Sequence, residues 1–338
     1  MAITNDLLST TLRIIRPKFV DELYKKTPIL DWMRKLGGID YEDVGTKVSC
    51  PLSLIEHSNI TEYPTGFEPT NVAVRTIMRS ADYLWDDFSA PIVITKKEEL
   101  ENNSERGVVK ILEARTKNVF GMLRRETNKQ LIAGNSTVLL NLNTLNGVAS
   151  TTGFIEQLAA GAQTNIVGGV SKLTYQATLG WQNQFEDVLD SASTNLLTAM
   201  NNMWLRANNV APMGDIQCIL SSIAAMANYK RLLQASERYI DEKVLDAGRM
   251  ALAFAGAMME QDSDMATNTA VGTNEWSQLW LNFDALKLTI HSQADYDVSD
   301  FIFSQGNTSR LAHVYHKCQL TTDHLGSLGG IMSADTWV

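Results

Sequence analysis

Two histidines and three carboxylate pairs are the residues of this sequence best suited to chemistry. His313 and His316 form an HxxH pair, a spacing that can serve a metal ion. The residues around them, 311–320, predict a β-strand, on which positions three apart point to opposite faces. We therefore expect the two imidazoles to lie on opposite sides of a strand, in solvent or at an interface, and not to share an ion.

The carboxylate pairs are Asp86 with Asp87, Glu98 with Glu99, and Asp262 with Asp264. Such pairs can carry acid–base catalysis or hold a divalent cation, but solvated faces and turns also place acids together. The sequence contains no G-x-S-x-G, G-x-x-x-x-G-K-S/T or G-x-G-x-x-G, and therefore no nucleophile elbow and no common phosphate-binding loop. We expect no catalytic, cofactor-binding or metal-binding residues, no cofactor and no enzymatic activity.

Aromatic residues do not form a nucleic-acid platform. The tryptophans are spread along the chain and do not alternate with basic residues in a cluster; they are Trp32, Trp85, Trp181, Trp204, Trp276, Trp280 and Trp337. This distribution favours the core or subunit contacts over base stacking. Tyr229-Lys230-Arg231, with Arg238-Tyr239 beyond it, is a small basic and aromatic patch that we assign to the surface or an interface.

Composition limits the possible partners. The 338 residues are 44% hydrophobic, enough for a large core in one elaborate domain or two. A formal net charge of -9 argues against a surface built to neutralise phosphates, although it leaves room for a local basic patch. The sequence has neither an apolar run of membrane-spanning length nor the pattern of a secretion signal, which predicts a soluble protein made in a cytoplasm. Cys50, Cys218 and Cys318 match no metal or redox spacing and are expected to be reduced core or interface residues.

The most distinctive element is a long helix between Ile94 and Asn135. Thr95 and Glu98 have the spacing of a capping box at its start, and Gly134 can close its end. Apolar residues recur at helical spacing between these ends, so one face is fit for burial. At 1.5 Å per residue the helix would span about 50 Å. Gly107 and Gly121 count against an unbroken helix, and the apolar positions do not sustain the strict seven-residue seam of a coiled coil.

The segments before this helix predict an arm and a projecting hairpin. Helical stretches near 6–12 and 19–25 are separated by Pro17, and the segment to residue 45 has too few apolar residues to fold alone. Residues 46–95 favour strands, with a bend at 63–66, a second arm near 72–77 and a short strand at 91–94. A two-stranded ribbon is marginal by itself, so the hairpin would need a partner surface.

The C-terminal part of the sequence predicts a compact mixed domain. Residues 139–169 are expected to be mostly loop, with a tight turn at 145–148, and residues 174–208 to be helical. Strands are predicted near 216–220, 248–256, 279–283, 286–290 and 311–320, with a helix over 222–236. The fold class is therefore α+β.

This order of parts resembles the major capsid proteins of tailed bacteriophages, whose fold is named for phage Hong Kong 97. Local phrases are similar as well: Tyr83-Leu84-Trp85 before the long helix, Leu145-Asn146-Gly147-Val148 after it, Gly168-Gly169, Ser236-Glu237-Arg238-Tyr239, Leu252-Ala253-Phe254-Ala255-Gly256, and Gly326-Ser327-Leu328-Gly329-Gly330 near the end. The resemblance implies an N-terminal arm over 1–45, an extended loop over 46–95, a peripheral domain over 96–170 and 296–338 with its spine helix at 96–133, and an axial domain over 171–295.

The resemblance also implies a function. Subunits of such proteins form hexamers and pentamers that close into the icosahedral head of a double-stranded DNA phage, assembled in the host bacterial cytoplasm. Portal and cement proteins are further expected partners, and the enclosed DNA is held without sequence-specific binding. The arm begins at Met1 without a long helical extension, so we expect a separate scaffolding protein or none. Some relatives join subunits by a Lys-Asn bond; here, with Lys47 and Lys96 as the lysines considered, we expect non-covalent contacts.

Two other functions stay open at this point. An encapsulin, a cellular nanocompartment of the same fold that holds enzyme cargo, is the nearest alternative. A soluble enzyme whose site is assembled from distant residues is the alternative from another class.

Overall fold

The structure of the chain, a computed structural model, describes residues 5–43, 45–53, 62, 66, 69, 78–101, 105–133, 142, 166–172, 181, 183–188, 196–210, 214–235, 243–244, 250–265, 276–304 and 308–332. The helices in these ranges are α1 (Asn5–Lys26), α2 (Pro28–Leu36), α3 (Lys96–Glu101), α4 (Glu105–Ala133), α5 (Leu196–Val210) and α6 (Ile223–Ala235), with a 3-10 turn at Leu325–Ser327. Helices and sheets are mixed along the chain, which confirms the predicted α+β class.

The strands pair into two large sheets and two short ribbons. They are β1 (Ile39–Glu42), β2 (Lys47–Ser53), β3 (Met78–Leu84), β4 (Asp86–Thr95), β5 (Ile166–Val167), β6 (Val170–Ser171), β7 (Gln184–Asp187), β8 (Cys218–Ser221), β9 (Lys243–Val244), β10 (Met250–Phe254), β11 (Ala257–Gln261), β12 (Trp276–Leu281), β13 (Leu286–His291), β14 (Asp297–Val298), β15 (Ile302–Phe303), β16 (Ser309–Thr322) and β17 (Gly329–Met332). Strands predicted near 216–220, 248–256, 279–283, 286–290 and 311–320 are confirmed, as is the helix over 222–236.

The first sheet is built around β16. Its order is β1-β13-β16-β14, with β4 and β15 also paired to β16. The second sheet has the order β7-β17-β12-β8-β11-β10-β9, while β2-β3 and β5-β6 are separate ribbons. β1 pairs in parallel with β13, so the N-terminal segment is built into the first sheet.

The second sheet separates two hydrophobic cores. Along β12, Leu279 and Leu281 face the core formed with the arm, the long helix and the first sheet, whereas Trp280 faces a second core under α5 and α6. β8 alternates in the same way, with Leu220 on one side and Ile219 on the other. Alternation on a pleated strand therefore lets one sheet serve both cores.

The long helix begins and ends close to the predicted positions. The Thr95 amide donates to Glu98 Oε2 at 3.0 Å and the Glu98 amide donates to Thr95 Oγ1 at 3.4 Å, which confirms the capping box at the start of α3. Residues 102–104 and Gly134 lie outside the described residues. α4 alone has 29 residues and is about 43 Å long. It runs through Gly107 and Gly121, so the expectation that these glycines interrupt the helix is wrong.

We expect Gly121→Ala to stabilise the chain by up to about 1 kcal/mol, because glycine is the less favourable residue in a helix interior. A Cβ built at Gly121 meets nothing within 4 Å, so the gain is not offset by a clash. Urea unfolding of the unassembled chain measures the change. A loss of stability would show that the exposed side of α4 is more crowded than the structure has it.

The arm differs from its prediction in one respect. The two short helices expected around Pro17 are a single helix, α1, that contains this proline. Packing of α1 along α4 explains its continuity, since Leu12, Phe19 and Leu23 are buried against the long helix and compensate for the backbone hydrogen bond that proline removes. The arm packs on the rest of the chain, as its apolar content predicts.

The predicted helix over 174–208 is wrong in its first half. Residues 184–187 form strand β7, which pairs in parallel with β17, and Trp181 lies outside any helix. The apolar spacing of Trp181, Phe185 and Val188 was compatible with a helix, but the edge of the second sheet offers β17 as a partner. Of the predicted helical region, residues 181 and 183–188 are not helical and α5 is; residues 174–180, 182 and 189–195 lie outside the described residues. The turn at 145–148 and the strand near 72–77 lie outside the described residues.

Candidate assembly surfaces

The ribbon of β2 and β3 has one packed face and one exposed face. Its strands pair antiparallel from Lys47 opposite Leu84 to Ser53 opposite Met78. This confirms the predicted first arm, whereas the second strand of the ribbon is 78–84, beyond the arm predicted near 72–77. Val48, Leu52 and Tyr83 point inward and are buried. The outward face ends in Met78 and Leu84, which are 64% and 61% exposed. The ribbon therefore presents apolar side chains that this chain does not cover.

A polar network lies between these two apolar ends. Asp82 accepts hydrogen bonds from Lys47 Nζ at 2.5 Å, Ser49 Oγ at 2.7 Å and Ser80 Oγ at 3.0 Å. These donors lower the pKa of Asp82 to about 2, with the bond from Lys47 as the largest cause. The outward face thus combines a fixed polar network with exposed apolar side chains at its two ends.

The base of the ribbon is fixed to the rest of the chain. The Tyr83 hydroxyl donates to the Thr322 carbonyl at 2.7 Å, and the Asp82 amide donates to the Gly168 carbonyl at 3.0 Å. Gly168 has φ +56° and lies so close to Ala81 that a Cβ would sit 2.6 Å from the alanine methyl. The β5-β6 turn therefore fits only with glycine at this position, and it sets the direction in which the ribbon projects.

A buried polar joint connects the arm and α4 to the second sheet. Trp32 Nε1 donates to Glu260 Oε2 at 2.6 Å, and both residues are buried. Asn128 Nδ2 lies 3.1 Å from both oxygens of Asp262 and 2.6 Å from Asp264 Oδ2. Buried carboxylates without donors would be costly, so these bonds fix how the long helix meets the sheet.

The second core carries an exposed apolar surface of its own. Trp280 packs edge-on against Phe254, with ring centroids 5.7 Å apart, and Trp204 joins both rings. Outside this core, Leu205 on α5 and Ile223 at the start of α6 remain more than half exposed. Ile302 and Phe303 of β15 are exposed in the same way at the first sheet. Together with the ribbon, these are three of the places where the described part of the chain leaves apolar side chains uncovered; Ile14, Tyr41, Met122, Ile166 and Tyr315 are exposed as well.

A buried aromatic cluster holds one carboxyl group under the arm. Asp295 accepts from the Tyr24 hydroxyl at 3.0 Å and from the Tyr41 hydroxyl at 3.3 Å, while burial raises its pKa. His316 stacks on Tyr296 with ring centroids 3.9 Å apart and an interplanar angle of 8°. Burial lowers the pKa of His316 to about 3, so the imidazole is neutral at neutral pH.

We expect stability to fall as the pH drops from about 6.5 towards 4.5, because the unfolded chain binds a proton at His316 that the folded chain excludes. Because the pKa of His316 is lower in the folded chain than in the unfolded chain, its contribution to the free energy of unfolding is complete above about pH 6.5 and falls below it. Between about pH 6.5 and 4.5 the free energy of unfolding decreases by about 2 kcal/mol. Urea unfolding of the unassembled chain at several pH values measures the loss. His316→Phe keeps a ring on Tyr296 and retains Asp295, so the difference from the wild type isolates the histidine. An unchanged pH dependence in this variant would contradict the assignment.

The chemical residues predicted from sequence are dispersed in the structure. His313 is partly exposed and His316 is buried, which confirms their placement on opposite faces of β16. The expectation that His316 lies in solvent or at an interface is wrong, because Tyr296 covers its ring inside the chain. In the described ranges no three histidine, cysteine or carboxylate side chains are grouped so that they could hold a metal ion. Glu98 caps α3 and pairs with Arg115, and Asp87 lies 3.5 Å from Lys317 Nζ. Asp262 is not the solvated turn acid that we considered, because Asn128 draws it into the buried joint.

The aromatic and cysteine predictions are mostly confirmed. Trp32, Trp85, Trp181 and Trp280 are buried. Tyr229 is also buried, so its assignment to a surface or interface patch is wrong; it shares a face of α6 with Met226 and Leu233. Lys230 is half-buried and Arg231 is exposed, whereas Arg238 and Tyr239 lie outside the described residues. Cys218 and Cys318 are buried and Cys50 is half-buried, all as free thiols. Burial raises the pKa of Cys50 to about 11, which makes it a poor nucleophile.

Sequence reasoning did not identify Lys172 as a buried cation. Lys172 follows β6 and donates to Asn183 Oδ1 at 3.0 Å. Burial lowers its pKa to about 7. A single lysine in a loop segment carries no sequence signal of burial, since the residues that enclose it are distant in the chain.

The arrangement of parts is found in other proteins of known structure. A chain of the cyanophage A-1(L) capsid asymmetric unit superposes with a TM-score of 0.63 at 15% identity, covering 90% of this chain and 92% of that one. A chain from the capsid of a native GTA particle gives 0.53 at 10% identity, covering 89% of each. The chain has the Hong Kong 97 capsid fold. The assignments of α4 as the spine helix, of the β2-β3 ribbon to the extended loop and of residues 171–295 to an axial domain stay predictions.

The capsid fold also includes a nanocompartment protein. The encapsulin SrpI of Synechococcus elongatus, in its holo complex, superposes with a TM-score of 0.54 at 11% identity, covering 89% of this chain and 86% of that one. No protein-family model and no curated protein matches the sequence. Among the described residues, none of the helices has the length and apolar character needed to cross a membrane.

Proposed function

We propose that this chain is the major capsid protein of a tailed double-stranded DNA bacteriophage, which self-assembles into the hexamers and pentamers of an icosahedral head. The observation that carries the proposal is the match to a phage capsid chain over nine-tenths of both chains. The protein is then structural and not an enzyme, and its place is the virion after assembly in the bacterial cytoplasm.

In the proposed assembly, the exposed apolar surfaces form the contacts between subunits. The extended loop, residues 46–95, lies over a neighbouring subunit with Met78 and Leu84 at the ends of its contact face. The axial domain, residues 171–295, meets its neighbours around the capsomer centre through the region of Leu205 and Ile223. The N-terminal arm (1–45) and the peripheral domain (96–170 and 296–338) form the wall between capsomers. Scaffolding, portal and cement proteins complete the head, and the subunits are joined without covalent bonds.

The contents of purified particles test the proposal. Particles from producing cells are treated with nuclease and then opened, and we expect protected double-stranded DNA of one length. An encapsulin is the second candidate, favoured by the similarity to SrpI. Particles that contain one enriched enzyme and no protected DNA would support the encapsulin and contradict the phage head.

A further inference from the structure

The exposed side of the spine helix is basic, although the whole chain is acidic. We define the basic face by five residues: Lys110, Lys117, Arg124, Arg125 and Lys129 of α4. Lys110, Lys117 and Arg124 are spaced by seven residues and lie in one row, while Arg125 and Lys129 form a second row beside it. The second row is opposite the buried side of the helix, where Leu112, Phe120 and Leu123 pack. The first row borders that side, with Lys117 and Arg124 lining a groove that also contains Phe120. The face is about 28 Å long.

The cations of the basic face have no carboxylate partner in the part of the chain that the structure describes. By contrast, Arg115 on the same helix is paired with Glu98. Acidic residues are also present near the basic face. Glu113 and Glu126 are exposed on α4, and Glu22 of α1 lines the groove beside Lys117 and Arg124. Asp262 and Asp264 line a cleft with Arg124 and Arg125. Even so, cations prevail on this face of a chain whose net charge is -9.

We propose that the basic face contacts the phosphate backbone of the nucleic acid enclosed by the shell, which makes α4 part of the inner wall. This inference rests on the proposed function. A straight row of unpaired cations matches the regular charge of a duplex, which carries one negative charge per about 1.7 Å of its axis. Contacts to phosphates carry no sequence information, as packaging of a whole genome requires.

An acidic segment of a second copy is the other occupant that charge alone allows. The composition of the face argues against it. Met122 is its exposed large apolar residue, between glycine and charged side chains, whereas the centre of a protein interface is depleted of lysine and rich in aromatic residues. The apolar places on the ribbon, on α5 and α6 and on β15 are better suited to contacts between copies.

Binding of a random-sequence duplex of about 25 base pairs to the unassembled full chain tests the proposal. The test variant is Lys110→Gln/Lys117→Gln/Arg125→Gln/Lys129→Gln, since glutamine is a good helix former. The control, Arg79→Gln/Lys96→Gln/Lys97→Gln/Arg231→Gln, removes the same charge from exposed residues elsewhere. Fluorescence anisotropy is followed between about 50 and 200 mM salt. We expect the test variant to bind at least about tenfold more weakly near 100 mM salt, with a salt slope reduced by about 3, and the control to resemble the wild type.

Electron microscopy of the same proteins separates this inference from the proposed function. Shells formed by the test variant, together with weaker duplex binding, would support the inference. Equal duplex binding by the test variant and the control would overturn the inference, and so would the absence of duplex binding by the wild type. Shells formed by the wild type would support the proposed function in either case. If the test variant does not assemble and the wild type does not bind the duplex, the basic face is a contact between copies. This result would also overturn the inference. If the wild type forms no shells, the proposed function is refuted. The anisotropy series would still show whether the basic face binds a duplex.

Discussion

Replacing Met78 and Leu84 with lysine is expected to raise the concentration needed for assembly at least about 100-fold. The two side chains are 64% and 61% exposed in the isolated chain, and the proposed function covers them with a neighbouring subunit. Burying a side chain of this size contributes about 1.5–3 kcal/mol, so their loss removes about 3 kcal/mol or more from each loop contact. Every 1.4 kcal/mol corresponds to a tenfold change in concentration.

The fold of the single chain should not change in this variant. Both residues lie on the outward face of the ribbon, away from Val48, Leu52 and Tyr83. Light scattering against protein concentration measures assembly, and circular dichroism with urea unfolding measures the fold. Met78→Leu/Leu84→Met is the matched control, because it keeps the apolar surface and should assemble like the wild type. Normal assembly of the lysine variant would mean that the outward face of the ribbon is not a subunit contact.

Gly329→Ala is expected to destabilise the chain by about 3 kcal/mol or more, or to prevent its folding. A Cβ at this position would lie 2.5 Å from the Gln184 carbonyl oxygen and 1.8 Å from Met203 Cε. The methionine can move, but the carbonyl belongs to the backbone of β7, which pairs with β17 at this point. Separating the strands would disturb the second sheet where α5 packs on it, and forced overpacking of this kind costs about 1–3 kcal/mol before the pairing is lost.

The opposite sign is expected for the same substitution on the exposed side of α4. Gly121→Ala adds a methyl group where nothing lies within 4 Å, so the pair of variants separates local crowding from the general effect of replacing glycine. Urea unfolding and the yield of soluble protein measure both. A Gly329→Ala chain as stable as the wild type would show that β7 and β17 are not held as close as the structure places them.

The sequence predicted best the elements whose signals are local. The capping box of Thr95 and Glu98, the alternation along β16 that separates His313 from His316, and the helical spacing of α6 each depend on neighbours in the chain. The order of these elements was sufficient to indicate the capsid fold. Pro17 misled the prediction because α4, distant in sequence, holds α1 straight, and β7 was missed because its partner β17 lies almost 150 residues away.

The assembly surfaces could not be located from sequence in the same way. Met78 and Leu84 read like any apolar residues of a strand, and only the packing of the opposite ribbon face shows that they remain uncovered. The five cations of the basic face were likewise hidden in a mixed charge pattern, because their common direction depends on which side of the helix is buried. Asp262 looked like a solvated acid until Asn128 was found beside it. Each of these properties is set by contacts between distant segments, on which periodicity carries no information.

Electron microscopy of the purified wild-type chain after size exclusion tests the central claim most directly. We predict closed icosahedral shells or rings of five and six subunits, alone or once a scaffolding protein is supplied, with the β2-β3 ribbon of each subunit seated on a neighbour. A uniform small oligomer that never forms rings or shells, even with a scaffold present, would contradict the claim. The ribbon and the long helix would then serve an architecture other than a container.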